Sequence, residues 1–117
     1  MGDVAGATVP KLVLLAPPRA GGAISTRSFL PVRVHTSIGV LGALTVGAGV
    51  LAEGSVGHGL AELPAAGTPF RIEHPTGHFD VEVGVEAAVD GFKVTRSAAL
   101  RTARKIFDGR VFPRPRL

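Results

Sequence analysis

Residues 38–52 (IGVLGALTVGAGVLA) carry no charge, and in a chain of 117 residues that stretch limits what can form around it. It is either a membrane span or a helix in the middle of a core. A span needs about 20 apolar residues to cross about 30 Å of hydrocarbon. Fifteen residues at about 1.5 Å rise each reach only about 22 Å. Gly39, Gly42, Gly47 and Gly49 each cost about 1 kcal/mol relative to alanine in an isolated helix. They suit a small-xxx-small membrane contact, or a sheet packed closely against a helix that is apolar all round. Basic residues do not bracket the segment closely on one side, as membrane anchoring favours. Amphipathic stretches flank it. We read residues 36–53 as one long, buried, apolar helix.

The polar entry to that helix is His35-Thr36-Ser37. Thr36 or Ser37 is the expected N-cap, a position these residue types favour because a side-chain oxygen accepts a free backbone N–H. The N–H groups of Ser37, Ile38 and Gly39 then face outward at the positive end of the helix dipole, with Gly39 keeping the approach open. That arrangement suits a carboxylate or phosphate; the plainer alternative is a cap and nothing more. His35 is placed to give or take a proton beside a bound anion, or simply to hydrogen-bond backbone at a strand end. In the turn His74-Pro75-Thr76-Gly77, the Thr76 hydroxyl and the Gly77 N–H are further candidate ligand contacts, although such turns are common.

Elsewhere the pattern is one of strands. Residues 9–16 are apolar and stop at Pro17-Pro18. Residues 26–35 read as a strand in which Pro31 marks an edge or bulge. Residues 70–74 (FRIEH) form a short strand. Phe79, Val81, Val83 and Val85 alternate with Asp80, Glu82, Gly84 and Glu86, so that strand has one wet face. Val89-Asp90-Gly91 is a hairpin turn signal leading to a partner strand over 92–99. Residues 100–112 fit either a short helix or an extended hairpin. Five or six strands with one helix make an α+β chain.

Several chemistries are disfavoured. The absence of cysteine removes disulfides, thiolate metal sites and a cysteine nucleophile. His35, His58, His74 and His78 lack standard metal-ligand spacing, so no metal is expected. No P-loop, GxSxG or dinucleotide glycine pattern is present, so catalysis by a nucleophile or a nucleotide is unsupported. The net charge of +4 is concentrated from Arg96 onward, but Asp108 interrupts the run and no aromatic ladder accompanies it. We expect no nucleic-acid partner. Nothing in residues 1–6 resembles a signal peptide, which leaves the cytoplasm as the expected location.

Three segments in order, LLAPPRAGGAISTRSFLPVRVHTSIGVLGALTV, FRIEHPTGHFDVEV and LRTARKIFDGRVF, resemble the C-terminal part of the 4-oxalomesaconate tautomerases, members of the PrpF-like isomerases. The resemblance implies a diaminopimelate-epimerase-like half-domain, an antiparallel or mixed sheet curled around the long helix at 36–53. Residues 1–117 would be a single, incomplete C-terminal domain ending in a basic tail at 113–117. It also implies a cofactor-independent keto–enol tautomerisation of a small polycarboxylate in gallate-type aromatic-acid degradation. Thr36, Ser37, Ile38 and Gly39 become substrate contacts, with His35, Thr76 and Gly77 beside them in the cleft. Members of the family are much longer than this chain, so a fragment without a complete active site is expected. Another PrpF-like isomerase, shifting the double bond of a methylaconitate, is the nearest alternative. A different class of alternative is a non-catalytic half-domain that self-associates or pairs with a complementary N-terminal half.

Overall fold

The computed structural model describes residue 7 and residues 9–30, 32–65 and 67–115. Pro31, the proposed bulge, lies outside the described residues, as do residues 1–6 and the end of the basic tail at 116–117. Five strands form one sheet in sequence order: β1 (Leu12–Ala16), β2 (Ile24–Phe29), β3 (Phe70–His74), β4 (Gly77–Ala88) and β5 (Gly91–Ala99). All neighbours are antiparallel except β2 and β3, which run parallel. A parallel pair needs a crossover, and the helix α1 (Val40–Leu51) lies in that connection.

The expected long central helix at 36–53, with the sheet curled around it as in the diaminopimelate-epimerase-like half-domain, is not what forms. The protein is mostly sheet, and α1 has only 12 residues. Its cap is Gly39, in extended backbone (φ −70°, ψ 152°) and without a side-chain cap bond, so neither Thr36 nor Ser37 caps it. The reason lies outside the helix. The Ser37 N–H donates to the His35 ring at 2.9 Å, and the Ser37 hydroxyl lies 3.3 Å from His74 Nε2. Those contacts hold residues 35–37 in a turn. At the other end Ala52 is extended and Gly54 takes φ +82°. No helix among the described residues is long and apolar enough to cross a membrane.

The helix is also not apolar-packed on every side. Ala43, Val46, Gly47 and Val50 are its buried residues, a single stripe at helical spacing, whereas Leu41 is 79% exposed. The stripe packs on Ile24, Phe70, Ile72 and Val81. Of the four glycines, Gly47 is the one where the sheet comes close: a methyl there would lie 3.2 Å from Val81 and Val83. Gly39 and Gly49 face open space.

The strand expected at 26–35 is broken. β2 ends at Phe29, the Leu30 N–H donates to the Arg33 carbonyl at 2.9 Å, and the His35 N–H returns to the Ser28 carbonyl at 2.8 Å. This reversal delivers His35 to the helix mouth. The hairpin at 89–91 forms as expected, with Gly91 at φ +127°. Residues 100–115 adopt neither helix nor hairpin. The Leu100 N–H extends the ladder to Asp80, Arg101 stacks 5.4 Å above Phe79, and the remainder is exposed and without regular secondary structure.

Gly57 closes the core below α1. A Cβ there would sit 2.6 Å from Val50 Cγ2 and 2.8 Å from Leu15 Cδ1, and Val50 is fully buried. Gly57→Ala is expected to destabilise the protein by about 2 kcal/mol through overpacking, measured as a lower urea midpoint at unchanged slope.

Candidate functional site

Strand alternation sends Phe70, Ile72 and His74 to the helix side of β3, and Arg71 and Glu73 to the other. His74, last on its strand, therefore reaches the start of α1. There it meets Ser37, with Nε2 and Oγ 3.3 Å apart. The two-residue connection between β3 and β4 places Thr76 beside them, its hydroxyl donating to the Thr36 carbonyl at 2.8 Å. One short turn and one helix entry, distant in sequence, are thus tied together.

The backbone N–H donors, which can only donate, favour one arrangement of the protons, although the Thr76 hydroxyl also lies 3.3 Å from His74 Nδ1. The Ser37 N–H donates to His35 Nδ1, so that nitrogen carries no hydrogen. The Thr76 N–H donates, at a long 3.4 Å, to His74 Nδ1, which leaves the His74 proton on Nε2, directed at the Ser37 oxygen. Ser37 then accepts from His74, and its own O–H is free to donate elsewhere. Burial holds His74 below its ordinary value of 6.5, as do the nearby charges of His78 and His35, against partial compensation from a backbone hydrogen bond at His78. The ring is neutral at neutral pH.

Above Ser37 lies the helix end. The first N–H groups of any α-helix lack intrahelical partners, and Gly39, Val40 and Leu41 are all exposed here. The Ser37 N–H is consumed by His35 and is not one of these open donors; the Ile38 side chain is buried in the core. Among the sequence-derived candidates, Ser37 bonds His35 and Thr76 bonds Thr36, and His74 touches both Ser37 and Thr76. Gly39 caps the helix beside them and exposes its surface. Gly77 pairs with His74 in the ladder at φ +150°, a backbone position that favours glycine. The hydroxyl of Thr76 holds the Thr36 backbone, so it is committed within the chain.

His74 is the residue that sequence reasoning did not include among the candidates. The signal was present: in FRIEH, a period of two puts the histidine on the same face as Phe70 and Ile72. Chemically the cluster offers a hydroxyl donor, helix-end N–H groups and two imidazoles. This suits an anionic oxygen better than a metal ion, and no group of three or more potential metal ligands occurs among the described residues.

Comparison with known proteins places this geometry in context. The sequence profile described as PrpF protein matches residues 2–114. The chain is 47% identical over 113 residues to the (4E)-oxalomesaconate Delta-isomerase of Novosphingobium sp. strain KA1, covering 96% of this chain and 31% of that protein. It is 46% identical over 110 residues to the 4-oxalomesaconate tautomerase of Pseudomonas putida strain KT2440, covering 93% of this chain and 29% of that protein. The chain thus spans under a third of the length of these relatives.

Proposed function

Because this chain belongs to the PrpF family, we propose that it forms the carboxylate-holding part of a cofactor-independent isomerase that tautomerises a small oxo-polycarboxylate of the 4-oxalomesaconate kind. The observation that carries this reading is the Ser37–His74 contact at the mouth of α1, in a chain nearly half identical to two proteins named for oxalomesaconate isomerisation. A keto–enol shift removes a proton α to a carbonyl and returns one elsewhere, while charge gathers on oxygen. Ser37 O–H and the N–H groups at the start of α1 are donors for a substrate carboxylate or for that developing enolate. His74 orients Ser37. His35, half-buried beside them, accepts the Ser37 N–H at Nδ1, which leaves Nε2–H as a candidate proton donor.

The groups that abstract the proton belong, in this reading, to the two thirds of the relatives that this chain does not span. Turnover is therefore a property of the longer protein, in the cytoplasm, on a ring-cleavage product of aromatic-acid degradation. The test is a chimera in which this chain replaces the matched segment of the Pseudomonas putida tautomerase. The chimera should interconvert the keto and enol forms of 4-oxalomesaconate, followed by ultraviolet absorbance. Ser37→Ala should lower its kcat/KM about 30-fold, the loss of one hydrogen bond to a charged group worth about 2 kcal/mol. An active chimera indifferent to Ser37→Ala would remove Ser37 from the site.

A further inference from the structure

β5 ends at Ala99, opposite Val81, and the chain that follows departs from β4. The Leu100 N–H still donates to the Asp80 carbonyl at 3.0 Å, and alternation then puts Arg101 on the helix side, level with Phe79. Phe79 packs on the core from that side. The Arg101 guanidinium lies over its ring, with Cζ 5.4 Å from the ring centre, within the range of a cation–π contact. The departing chain leaves an open cavity of about 590 Å³ between residues 78–80 and 100–102, with Arg101 in its wall. Arg71, Arg96 and Lys105 each pair with a carboxylate, and Arg101 pairs with none among the described residues. Asp80, the acid in the cavity lining, is taken by two Arg71 donors at 2.9 and 3.0 Å.

This guanidinium stands close to the mouth of α1. His74 is opposite Gly77, so Phe79, two residues further on, is its diagonal neighbour on the same face, about 7–8 Å away. Ser37 touches His74 at one end of that diagonal, and Arg101 covers Phe79 at the other. Gly77 puts no side chain between them; a Cβ there would lie 3.8 Å from His74 Cε1. A stacked guanidinium spends its flat face on the ring and keeps its in-plane N–H donors for a planar acceptor, for which a carboxylate is the matching partner. The stack also holds the side chain before a ligand arrives, so less rotamer freedom is lost on binding. We infer that Arg101 is a substrate-binding residue of the same site: it takes a second carboxylate of the polycarboxylate whose first carboxylate or enolate oxygen lies at Ser37 and the start of α1. The inference deepens the proposed function and rests on it.

Two probes test it by NMR titration of this chain: tricarballylate, a tricarboxylate without an oxo group, and acetate, with a single carboxylate. The signals followed are the Gly39 and Val40 amides and the Arg101 Nε–H. With tricarballylate they should move with one common midpoint, and Arg101→Gln should raise the midpoint of the two amides at least tenfold. Arg101 is exposed, so this variant leaves the core intact. Acetate should bind the helix start equally in both proteins. Arg101→Lys, which keeps the charge without the fork, should fall between. In the active chimera, Arg101→Gln should raise KM for 4-oxalomesaconate about 20-fold with kcat within threefold, the mark of a contact made equally before and during the reaction. The titration decides the matter whether or not the chimera turns over. Amides that respond to tricarballylate with the same midpoint, within twofold, in wild type and Arg101→Gln overturn the inference and leave the carboxylate site standing. Amides that respond to neither probe overturn both.

Discussion

Replacing Glu73 by alanine is expected to lower the stability of this protein by about 3 kcal/mol, a large share of what a small domain possesses. Glu73 is only 6% exposed, under the loop that joins β1 to β2. Its Oε2 accepts the Arg19 N–H at 2.8 Å, and its Oε1 accepts the N–H groups of Ala20 at 2.6 Å and Gly22 at 2.9 Å. Hydrogen bonds to a carboxylate are stronger than neutral ones, and truncation leaves three donors in a shielded place. Glu73→Gln keeps one acceptor but turns an amide N–H₂ toward those donors, so it recovers little. The loop shape depends on the same contact: a Cβ on Gly22 would lie 2.6 Å from Glu73 Cγ and 3.1 Å from the Arg71 carbonyl. Gly22→Ala should therefore cost much less in the Glu73→Ala background than alone, a coupling that a double-mutant cycle in urea reads directly. Additive effects would mean that the loop and the carboxylate are independent.

The same carboxylate sets an acid limit. Burial pushes the Glu73 carboxyl up, but the backbone N–H groups of Arg19, Gly22 and Ala20, together with the Arg19 charge, more than reverse this and leave it below its ordinary 4.5. The unfolded chain then binds a proton that the folded chain refuses, so stability rises with pH across that interval. The contribution is complete above the unfolded value and is lost as pH falls through it toward the folded one. Glu73→Ala should flatten this acid limb of the stability curve. Asp80, held low by the Arg71 guanidinium, titrates in the same direction and supplies the residual slope.

These two carboxylates show what could be read in the sequence. Asp80 belongs to the alternation at 79–86, where its polarity marks the wet face, and the strand appears there as expected. Glu73 sits in an equally regular strand, and alternation correctly puts it opposite Ile72. Whether that opposite face meets water depends on a loop 51–54 residues earlier in the chain, and no local pattern carries that information. The helix gives the same lesson. The apolar helix itself was legible, but neither its start nor its single buried stripe at Ala43, Val46 and Val50 was. Thr36 and Ser37 have the composition of an N-cap, and their groups are taken by partners from another strand and from His35. Local propensity lost to long-range bonding there, and the helix became shorter and one-sided.

The mouth of α1 is where the second large effect is expected. In the chimera with the Pseudomonas putida tautomerase, His74→Phe should lower kcat/KM about 50-fold, since an apolar ring of similar volume cannot donate to the Ser37 oxygen and Ser37 then loses its orientation. His74→Gln should restore most of the rate, because a glutamine amide N–H can take the place of Nε2–H. That rescue separates positioning from proton transfer: an amide has no titratable proton, so a His74 that acted as base or acid would not be rescued. The pH profile gives the independent check. With the His74 ring held below 6.5 by burial and by its charged neighbours, the wild-type rate should be level at neutral pH. It should decline only on the acid side of the ordinary histidine range, where protonated Nδ1 would face the Thr76 N–H. The glutamine variant should show no decline from this source. His74→Phe within twofold of wild type would leave the Ser37 hydroxyl oriented by the helix entry alone, and the histidine with a packing role.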